Sequence, residues 1–206
     1  MPESPELLYA TGNPGKLEEV RAFLGGMMPI ESPKDRGLNV EVEETGATLE
    51  ENALLKARAY RAVAPAGMIM MADDTGLEID ALSGEPGVKV RRWRDGRTEM
   101  TDEQIIEHCL RRLQGVPGGK RGAQFRTVIV LALPDGTEEL FDGTLRGEIA
   151  EQSAPVRVPG FPFRSLFVTE TGKLLGELEE KPDSSVLTHR QAAVQKAVDW
   201  LRDYNK

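Results

Sequence analysis

The chain has 206 residues, 39% of them hydrophobic, which is enough apolar surface to form a core without disulfide or metal cross-links. Its formal net charge of −8 argues against a general affinity for nucleic-acid polymers, so an anionic ligand would need a local site. The single cysteine, Cys109, excludes an internal disulfide and favours a cytoplasmic location, while the lack of a secretory leader and of an 18-residue apolar run argues against export and membrane insertion.

The first elements in chain order are a short strand, a polar loop and a helix. Residues 7–10 are apolar, residues 11–16 read Thr-Gly-Asn-Pro-Gly-Lys, and apolar residues then recur at helical spacing. The N-terminus of a helix attracts phosphate through unpaired N–H groups and the helix dipole. Thr11, Asn13 and Lys16 are therefore candidate phosphate-binding residues, with an ordinary strand-to-helix turn as the alternative.

A second helix is predicted over residues 48–63. A capping box from Thr48 to Glu51 precedes a segment rich in good helix formers. Asn52 and Lys56 are four residues apart, so they share one face of this helix and can reach a common anion. Solvation of a polar surface is the alternative for this pair.

Two adjacent carboxylates, Asp73 and Asp74, follow the apolar run 68–71, where a buried strand is expected to open to solvent. An acidic loop before the second helix adds Glu43 and Glu44. Mg²⁺ usually takes only one or two protein carboxylates, together with phosphate oxygens and water. These side chains indicate divalent-metal chemistry, and the alternative is a strand-capping turn beside a solvated acidic face.

The second half of the chain is richer in strands. A third helix is predicted from near Thr101 to before Gly115, and two strands around a turn at 134–136 predict an antiparallel hairpin. The proline-rich stretch 155–162 is a candidate boundary between two lobes, and residues 188–203 predict a closing helix. The pattern as a whole predicts a mixed α/β fold.

Together these motifs resemble the inosine triphosphate pyrophosphatase family, and the similarity runs in order over most of the chain. In the first half it is carried by Ala10-Thr11-Gly12-Asn13 with Lys16, Glu43-Glu44-Thr45-Gly46 with Thr48, Glu51-Asn52-Ala53 with Lys56-Ala57, Ala72-Asp73-Asp74-Thr75-Gly76-Leu77, and Leu82 with Gly84, Pro86-Gly87-Val88 and Arg92. In the second half it is carried by Phe125, Phe141 with Gly143, Gly147 with Ile149, Gly160-Phe161, Phe167, Gly172-Lys173, Glu177, Lys181 and His189-Arg190.

The resemblance implies an α/β fold with an elongated mixed sheet, two lobes and a central nucleotide cleft, in a single pyrophosphatase domain over residues 1–206. It implies Mg²⁺-dependent hydrolysis of non-canonical purine nucleoside triphosphates (ITP, dITP and XTP) to nucleoside monophosphate and pyrophosphate. The expected form is a cytoplasmic homodimer whose partner is the small-molecule nucleotide, with neither a nucleic-acid polymer nor a membrane as a partner.

The resemblance also implies roles for individual residues. Asp74 is expected to orient or deprotonate the water that attacks the α-phosphorus, and Glu43 and Asp74 are expected to bind Mg²⁺. The residues expected to hold the nucleotide are Thr11, Asn13, Lys16, Asn52, Lys56, Asp73, Thr75, Phe161, Phe163, Arg164, Lys181, His189 and Arg190.

The base-recognition loop departs from the family pattern. The family reads approximately Gly-Phe-Gly-Tyr/Trp-Asp-Pro, whereas residues 160–165 of this chain read Gly-Phe-Pro-Phe-Arg-Ser. Arg164 places a five-donor cation where the family has an acceptor, which changes what the loop can recognise. Three hypotheses follow: the family activity, a pyrophosphohydrolase with shifted base specificity, and a catalytically weak nucleotide-binding module.

Overall fold

The computed structural model describes residues 6–26, 29–180 and 186–204 of the chain. Its strands are β1 (Leu7–Tyr9), β2 (Ile30–Glu31), β3 (Ile69–Ile79), β4 (Pro86–Gly87), β5 (Gly122–Ala132), β6 (Glu138–Ile149) and β7 (Phe167–Thr169). Its helices are α1 (Pro14–Leu24), α2 (Leu49–Arg61), α3 (Asp102–Arg112), α4 (Glu177–Glu180) and α5 (His189–Tyr204). No helix within these described ranges is long and apolar enough to cross a membrane.

The strands form one mixed sheet, as predicted. Their order is β2-β1-β3-β5-β6-β7, and β4 pairs with β3 outside this path. β1 is parallel to both β2 and β3, whereas β4 is antiparallel to β3 and β7 is antiparallel to β6. The predicted mixed α/β fold is therefore confirmed.

The predicted helices and hairpin are confirmed, with one change at the start of α2. The Thr48 side chain accepts from the Glu51 N–H, but the Glu51 carboxylate accepts from the Ala47 N–H at 2.6 Å rather than from the N–H of Thr48. The expected capping box is thus only half formed. A complete capping box occurs instead at the start of α3, between Thr101 and Gln104.

The sequence prediction for Asp73 and Asp74 was wrong about where the strand ends. Both residues lie inside β3, which continues to Ile79, and both are buried. The strand continues because Leu77 and Ile79 are fully buried beyond the carboxylates. Buried carboxylates require compensating partners, and these are described with the site.

The chain divides into two compact units that each combine segments distant in sequence. The first contains residues 1–75, 127–143 and 189–206, and the second contains residues 76–126 and 144–188. The proline-rich stretch 155–162 lies within the second unit.

The core of the first unit is apolar and brings α1 and α5 together on β1, β3 and β5. Its buried members include Leu7, Val20, Ile129 and Val194. A Cβ atom at Gly143 of β6 would lie 2.1 Å from the carbonyl oxygen of His189, so the first turn of α5 packs directly on the strand backbone. The absence of a side chain at Gly143 allows the first turn of α5 to lie this close to β6.

The core of the second unit is rich in aromatic side chains. Trp93, Phe125, Phe163 and Phe167 are all buried in one cluster. The Phe125 and Phe167 rings are 4.8 Å apart between centroids, and Phe163 lies 6.2 Å from both Phe125 and Trp93. These rings form a packed interior with the tilted and edge-on geometries that aromatic pairs prefer.

Candidate active site

Asp73 is a buried carboxylate of the first unit, and hydrogen-bond donors and cations surround it. Its side chain is 1% exposed. Oδ1 accepts from the Tyr9 hydroxyl at 2.7 Å, and Oδ2 accepts from Lys16 Nζ at 2.8 Å and from Thr75 Oγ1 at 3.2 Å. Arg190 Nε lies 3.5 Å from the same Oδ2. Side chains from β1, α1 and α5, together with Thr75 of β3 itself, therefore meet at one carboxylate.

The charges around Asp73 determine its ionisation. Burial alone would raise the pKa of Asp73, but the charges of Lys16, Arg190 and Lys56 outweigh burial and hold its pKa well below the ordinary range. Burial lowers the pKa of Lys16, and Asp73 acts in the opposite direction. Asp73 therefore stays negatively charged and is a poor proton acceptor.

Asp74, the next residue, has a different environment. Its Oδ1 accepts from Lys56 Nζ at 3.1 Å and its Oδ2 accepts from Asn52 Nδ2 at 3.1 Å. Asp74 is 7% exposed, and burial raises its pKa even though Lys56 and Lys16 act in the opposite direction. The nearby charge of Glu44 adds to the increase in pKa. Asp74 is therefore the more basic of the two neighbouring carboxylates.

The face of α2 that carries Asn52 and Lys56 is directed at Asp74, in agreement with the shared helix face predicted from their spacing. Asn52 Oδ1 accepts from the Gly46 N–H at 2.8 Å, which leaves the Nδ2 group to face Asp74. Burial would lower the pKa of Lys56, but Asp74, Asp73 and Glu44 together raise it. Lys56 therefore remains a cation.

The loop before α1 forms an N-cap. Asn13 Oδ1 accepts from the N–H groups of Gly15 and Lys16 at 2.9 and 3.3 Å, and Thr11 Oγ1 accepts from the N–H of Asn13 at 3.2 Å. Two of the first-turn donors that were expected to attract phosphate are thus engaged by Asn13 in this structure. Lys16, in the same turn, is directed at Asp73.

Arg190 connects α5 with α1 and β3 inside the first unit. Its side chain is 1% exposed; Nη1 donates to Glu19 Oε2 at 2.5 Å and Nη2 donates to Thr75 Oγ1 at 3.2 Å. Burial would lower the pKa of Arg190, but Glu19 and Asp73 raise it. His189, beside Arg190, is also buried.

Two of these partners, Tyr9 and Glu19, were not predicted as site residues. Glu19 follows Lys16 by three residues, so both side chains lie on one face of α1. That spacing was available from the sequence, but without a known partner it is also typical of a solvated helix. Tyr9 gave no local signal because it lies in an apolar strand.

The predicted base-loop residues lie in the second unit. Phe163 is part of its aromatic core, whereas Phe161 is half-buried. Arg164 is 5% exposed, and its guanidinium carbon lies 4.3 Å from the centre of the Phe161 ring, a cation–π geometry. Lys181 lies outside the described residues.

The carboxylates near Lys56 could provide ligands for a divalent cation. Lys56 Nζ lies 3.1 Å from Asp74 Oδ1 and 3.5 Å from Glu44 Oε1, so the carboxylates of Asp74 and Glu44 both lie beside the Lys56 ammonium. Glu43, the residue predicted to bind metal, is exposed beside Glu44. No group of three or more His, Cys, Asp or Glu side chains that could hold a metal occurs in the part of the chain that the structure describes. Mg²⁺ does not require such a group, since it usually takes one or two carboxylates.

Comparison with known proteins places this arrangement in a family. The model of the Ham1 family matches residues 7–200. The chain belongs to the Ham1 family. This match confirms the resemblance found in the sequence.

Individual proteins resemble the chain over nearly its whole length. The dITP/XTP pyrophosphatase of Symbiobacterium thermophilum is 40% identical over 203 residues, covering 95% of this chain and 94% of that protein. The dITP/XTP pyrophosphatase of Thermus thermophilus is 42% identical over 202 residues, covering 96% and 92%. The structure of the Staphylococcus aureus Ham1 protein is similar with a TM-score of 0.78 and 32% identity, covering 97% of this chain and 99% of that one.

Proposed function

We propose that this chain hydrolyses non-canonical purine nucleoside triphosphates (ITP, dITP and XTP) to nucleoside monophosphate and pyrophosphate. The observation that carries the proposal is the pair of buried carboxylates Asp73 and Asp74, which contact Lys16 at 2.8 Å and Lys56 at 3.1 Å and whose pKa values these surroundings shift in opposite directions. Pairs of titratable groups with separated pKa values mark an acid–base assignment. The names of the relatives at 40% and 42% identity support the reaction and the substrate class.

Asp74 is the proposed catalytic residue. Its raised pKa makes it a better proton acceptor than an ordinary aspartate, and Asn52 and Lys56 fix the directions of its two oxygens. Asp74 would orient the attacking water and accept its proton. Asp73, which stays ionised, would hold Lys16.

The lysines provide the charge that phosphoryl transfer requires. Lys16 and Lys56 would offset negative charge on the phosphoryl oxygens and on the pyrophosphate leaving group. Thr11, Asn13, Asn52, Thr75, His189 and Arg190 are proposed to complete the nucleotide site together with Asp73, and Phe161, Phe163, Arg164 and Lys181 are proposed to contribute to the base site.

Mg²⁺ is the proposed cofactor, with Glu43 and Asp74 as its protein ligands. Asp74 fits this ion as a hard oxygen donor, and the carboxylate of Glu44, the residue next to Glu43, approaches the same Lys56 ammonium as Asp74. When bound, Mg²⁺ would neutralise charge on the triphosphate and make the attacking water more acidic.

A shifted base specificity is the second candidate, favoured by Arg164. Its guanidinium stacks on Phe161, so the loop carries a cation at the position where the resemblance implies an acceptor. A buried guanidinium presents donors rather than acceptors. Such a site would favour bases with acceptor groups at their edges, including modified pyrimidines.

Pyrophosphate release tests both candidates. We would measure it with Mg²⁺ and with EDTA for ITP, dITP, XTP, the four canonical nucleoside triphosphates and several modified pyrimidine triphosphates. Metal-dependent preference for ITP, dITP or XTP is expected. Preference for another base would support the second candidate, and tight binding without release from any nucleotide would overturn both in favour of a binding module.

The organisation of the active form is part of the same proposal. We propose that the chain acts as a single pyrophosphatase domain, as a homodimer and in the cytoplasm. The lone cysteine supports a reducing compartment. Sedimentation equilibrium of the purified protein tests the dimer.

A further inference from the structure

Tyr9 fixes one of the two oxygens of Asp73. Oδ1 accepts from the Tyr9 hydroxyl at 2.7 Å, whereas Lys16, Thr75 and Arg190 all approach Oδ2. Within the described ranges, Tyr9 is the side chain that hydrogen-bonds Oδ1. The orientation of the carboxylate therefore depends on a neutral donor at one oxygen and on a mainly cationic group at the other.

The register of the sheet places Tyr9 in this position. Tyr9 pairs with Met71 in the parallel ladder between β1 and β3. Because side chains alternate along a strand, Met71 and Asp73 face the same side of β3. Tyr9 and Met71 belong to the same core cluster, so the long Tyr9 side chain reaches Asp73 diagonally along this face.

The Tyr9 hydroxyl acts as a donor under ordinary conditions. Tyr9 is completely buried, and burial together with the negative charge of Asp73 raises its pKa well above the ordinary value. The phenol therefore stays neutral and keeps its proton beside the ionised Asp73.

We propose that Tyr9 is a positioning residue for the pyrophosphohydrolase, which orients Asp73 so that Oδ2 holds the Lys16 ammonium in place for the triphosphate. This inference rests on the proposed function, in which Lys16 contacts phosphate. Without the hydroxyl, Asp73 can turn about its Cβ–Cγ bond, because the terminal torsion of aspartate is broad. Lys16 would then lose the fixed atom that positions it.

The test uses Tyr9→Phe, which removes only the hydroxyl. The matched control is Tyr60→Phe in the same unit, where the hydroxyl donates to the backbone carbonyl of Val40 at 3.4 Å. A hydrogen bond to a charged group stabilises its geometry more than one between neutral groups does. Tyr9→Phe is therefore expected to lower kcat/KM for the preferred nucleotide by roughly tenfold, mainly by raising KM. Tyr60→Phe is expected to leave kcat/KM within about twofold of wild type, because its partner is a neutral carbonyl.

A second measurement does not depend on activity. Reductive methylation of the nucleotide-free protein, followed by peptide mass spectrometry, gives the labelling rate of each lysine. Lys16 is expected to label several-fold faster in Tyr9→Phe than in wild type, with the other lysines unchanged and with no change in Tyr60→Phe. If the hydroxyl only stabilised the fold, its removal would not increase the labelling rate of Lys16 more than that of the other lysines.

The outcomes separate this inference from the proposed function. Selective labelling of Lys16 with a higher KM supports both. Selective labelling in a protein that releases no pyrophosphate overturns the proposed function and supports the positioning of Lys16 by Tyr9. Unchanged Lys16 labelling with unchanged kinetics overturns the inference, as does faster labelling of all lysines together, which would indicate a loosened fold.

Discussion

Asp73 and Asp74 project from opposite faces of β3 toward different helices. Asp73 contacts Lys16 of α1 at 2.8 Å, whereas Asp74 contacts Lys56 of α2 at 3.1 Å. Because successive residues of a strand alternate between faces, one short segment supplies carboxylates to two separate groups of donors. The pKa of Asp73 is held below its ordinary value and that of Asp74 is raised, so a strongly ionised carboxylate lies beside a more basic one.

Replacement of Asp74 by asparagine should remove turnover and preserve the fold. The variant keeps the size of the side chain and can still pair with Asn52 or Lys56, but it cannot accept a proton. Loss of a general base typically costs about 10² to 10⁴ in rate, and kcat is expected to fall by at least about 10². Pyrophosphate release and circular dichroism are the measurements.

The matched control for Asp74→Asn is Asp199→Asn, which changes an exposed carboxylate on α5. It should retain wild-type kcat. Wild-type activity in Asp74→Asn would remove this residue from the mechanism.

Replacement of Asp73 by asparagine should destabilise the protein in a pH-dependent way. The variant leaves the partly buried charge of Lys16 and the buried charge of Arg190 without their shared counter-ion, and breaking such a buried pair costs about 3–5 kcal/mol. The pKa of Asp73 is depressed in the folded state, so its contribution is fully present above the unfolded pKa of about 3.9 and is lost as the pH falls through the lower folded pKa.

Urea denaturation of wild type and Asp73→Asn between neutral and strongly acidic pH checks this prediction. The difference in free energy of unfolding should stay constant down to about pH 4 and then shrink. Glu18→Gln, at an exposed carboxylate of α1, is the control and should give little difference at any pH. A difference that grows as the pH falls would contradict the sign of the argument.

The sequence predicted the helices and the grouping of Asn52 with Lys56 because these depend on local spacing. Capping residues, helix formers and a four-residue separation lie within one or two turns of the chain. In the structure both side chains lie on one face of α2 and contact Asp74.

The environments of the two aspartates were not predictable from the same patterns. Asp73 is 57 residues from Lys16 in sequence, and Asp74 is 18 residues from Lys56. A hydrophobic pattern treats a carboxylate as exposed, so it ended β3 too early at these residues. Only in the folded chain do the cations of α1, α2 and α5 come close enough to compensate for the burial of these carboxylates.

Replacement of Gly143 by alanine should disturb the first turn of α5. The new Cβ would lie 2.1 Å from the carbonyl oxygen of His189 and 2.6 Å from the N–H nitrogen of Ala193, and backbone atoms cannot move aside as a flexible side chain can. Overpacking of this kind costs about 1–3 kcal/mol or more. The melting temperature should fall, and a shift of Arg190 away from Asp73 should lower kcat/KM as well. A melting temperature equal to that of wild type would contradict the close approach.

Replacement of Arg121 by lysine should destabilise the second unit. Arg121 is 7% exposed, and its guanidinium donates to the carbonyl oxygens of Val116, Ala150 and Leu113 at 2.9, 3.2 and 3.1 Å. A lysine ammonium is compact and cannot span three carbonyls spread around a planar fork. At least one buried carbonyl would lose its donor, at a cost of about 1–3 kcal/mol.

Equilibrium unfolding in urea measures this loss, with Arg97→Lys as the control. Arg97 is exposed in the same unit, so the same change of side chain there should leave the midpoint within error of wild type. Leu113 directly follows α3, and Arg121 directly precedes β5. The hydrogen bond from the Arg121 guanidinium to Leu113 therefore connects the end of the helix with the start of the strand. Equal midpoints for Arg121→Lys and Arg97→Lys would mean that one ammonium satisfies the carbonyls as well as the guanidinium does.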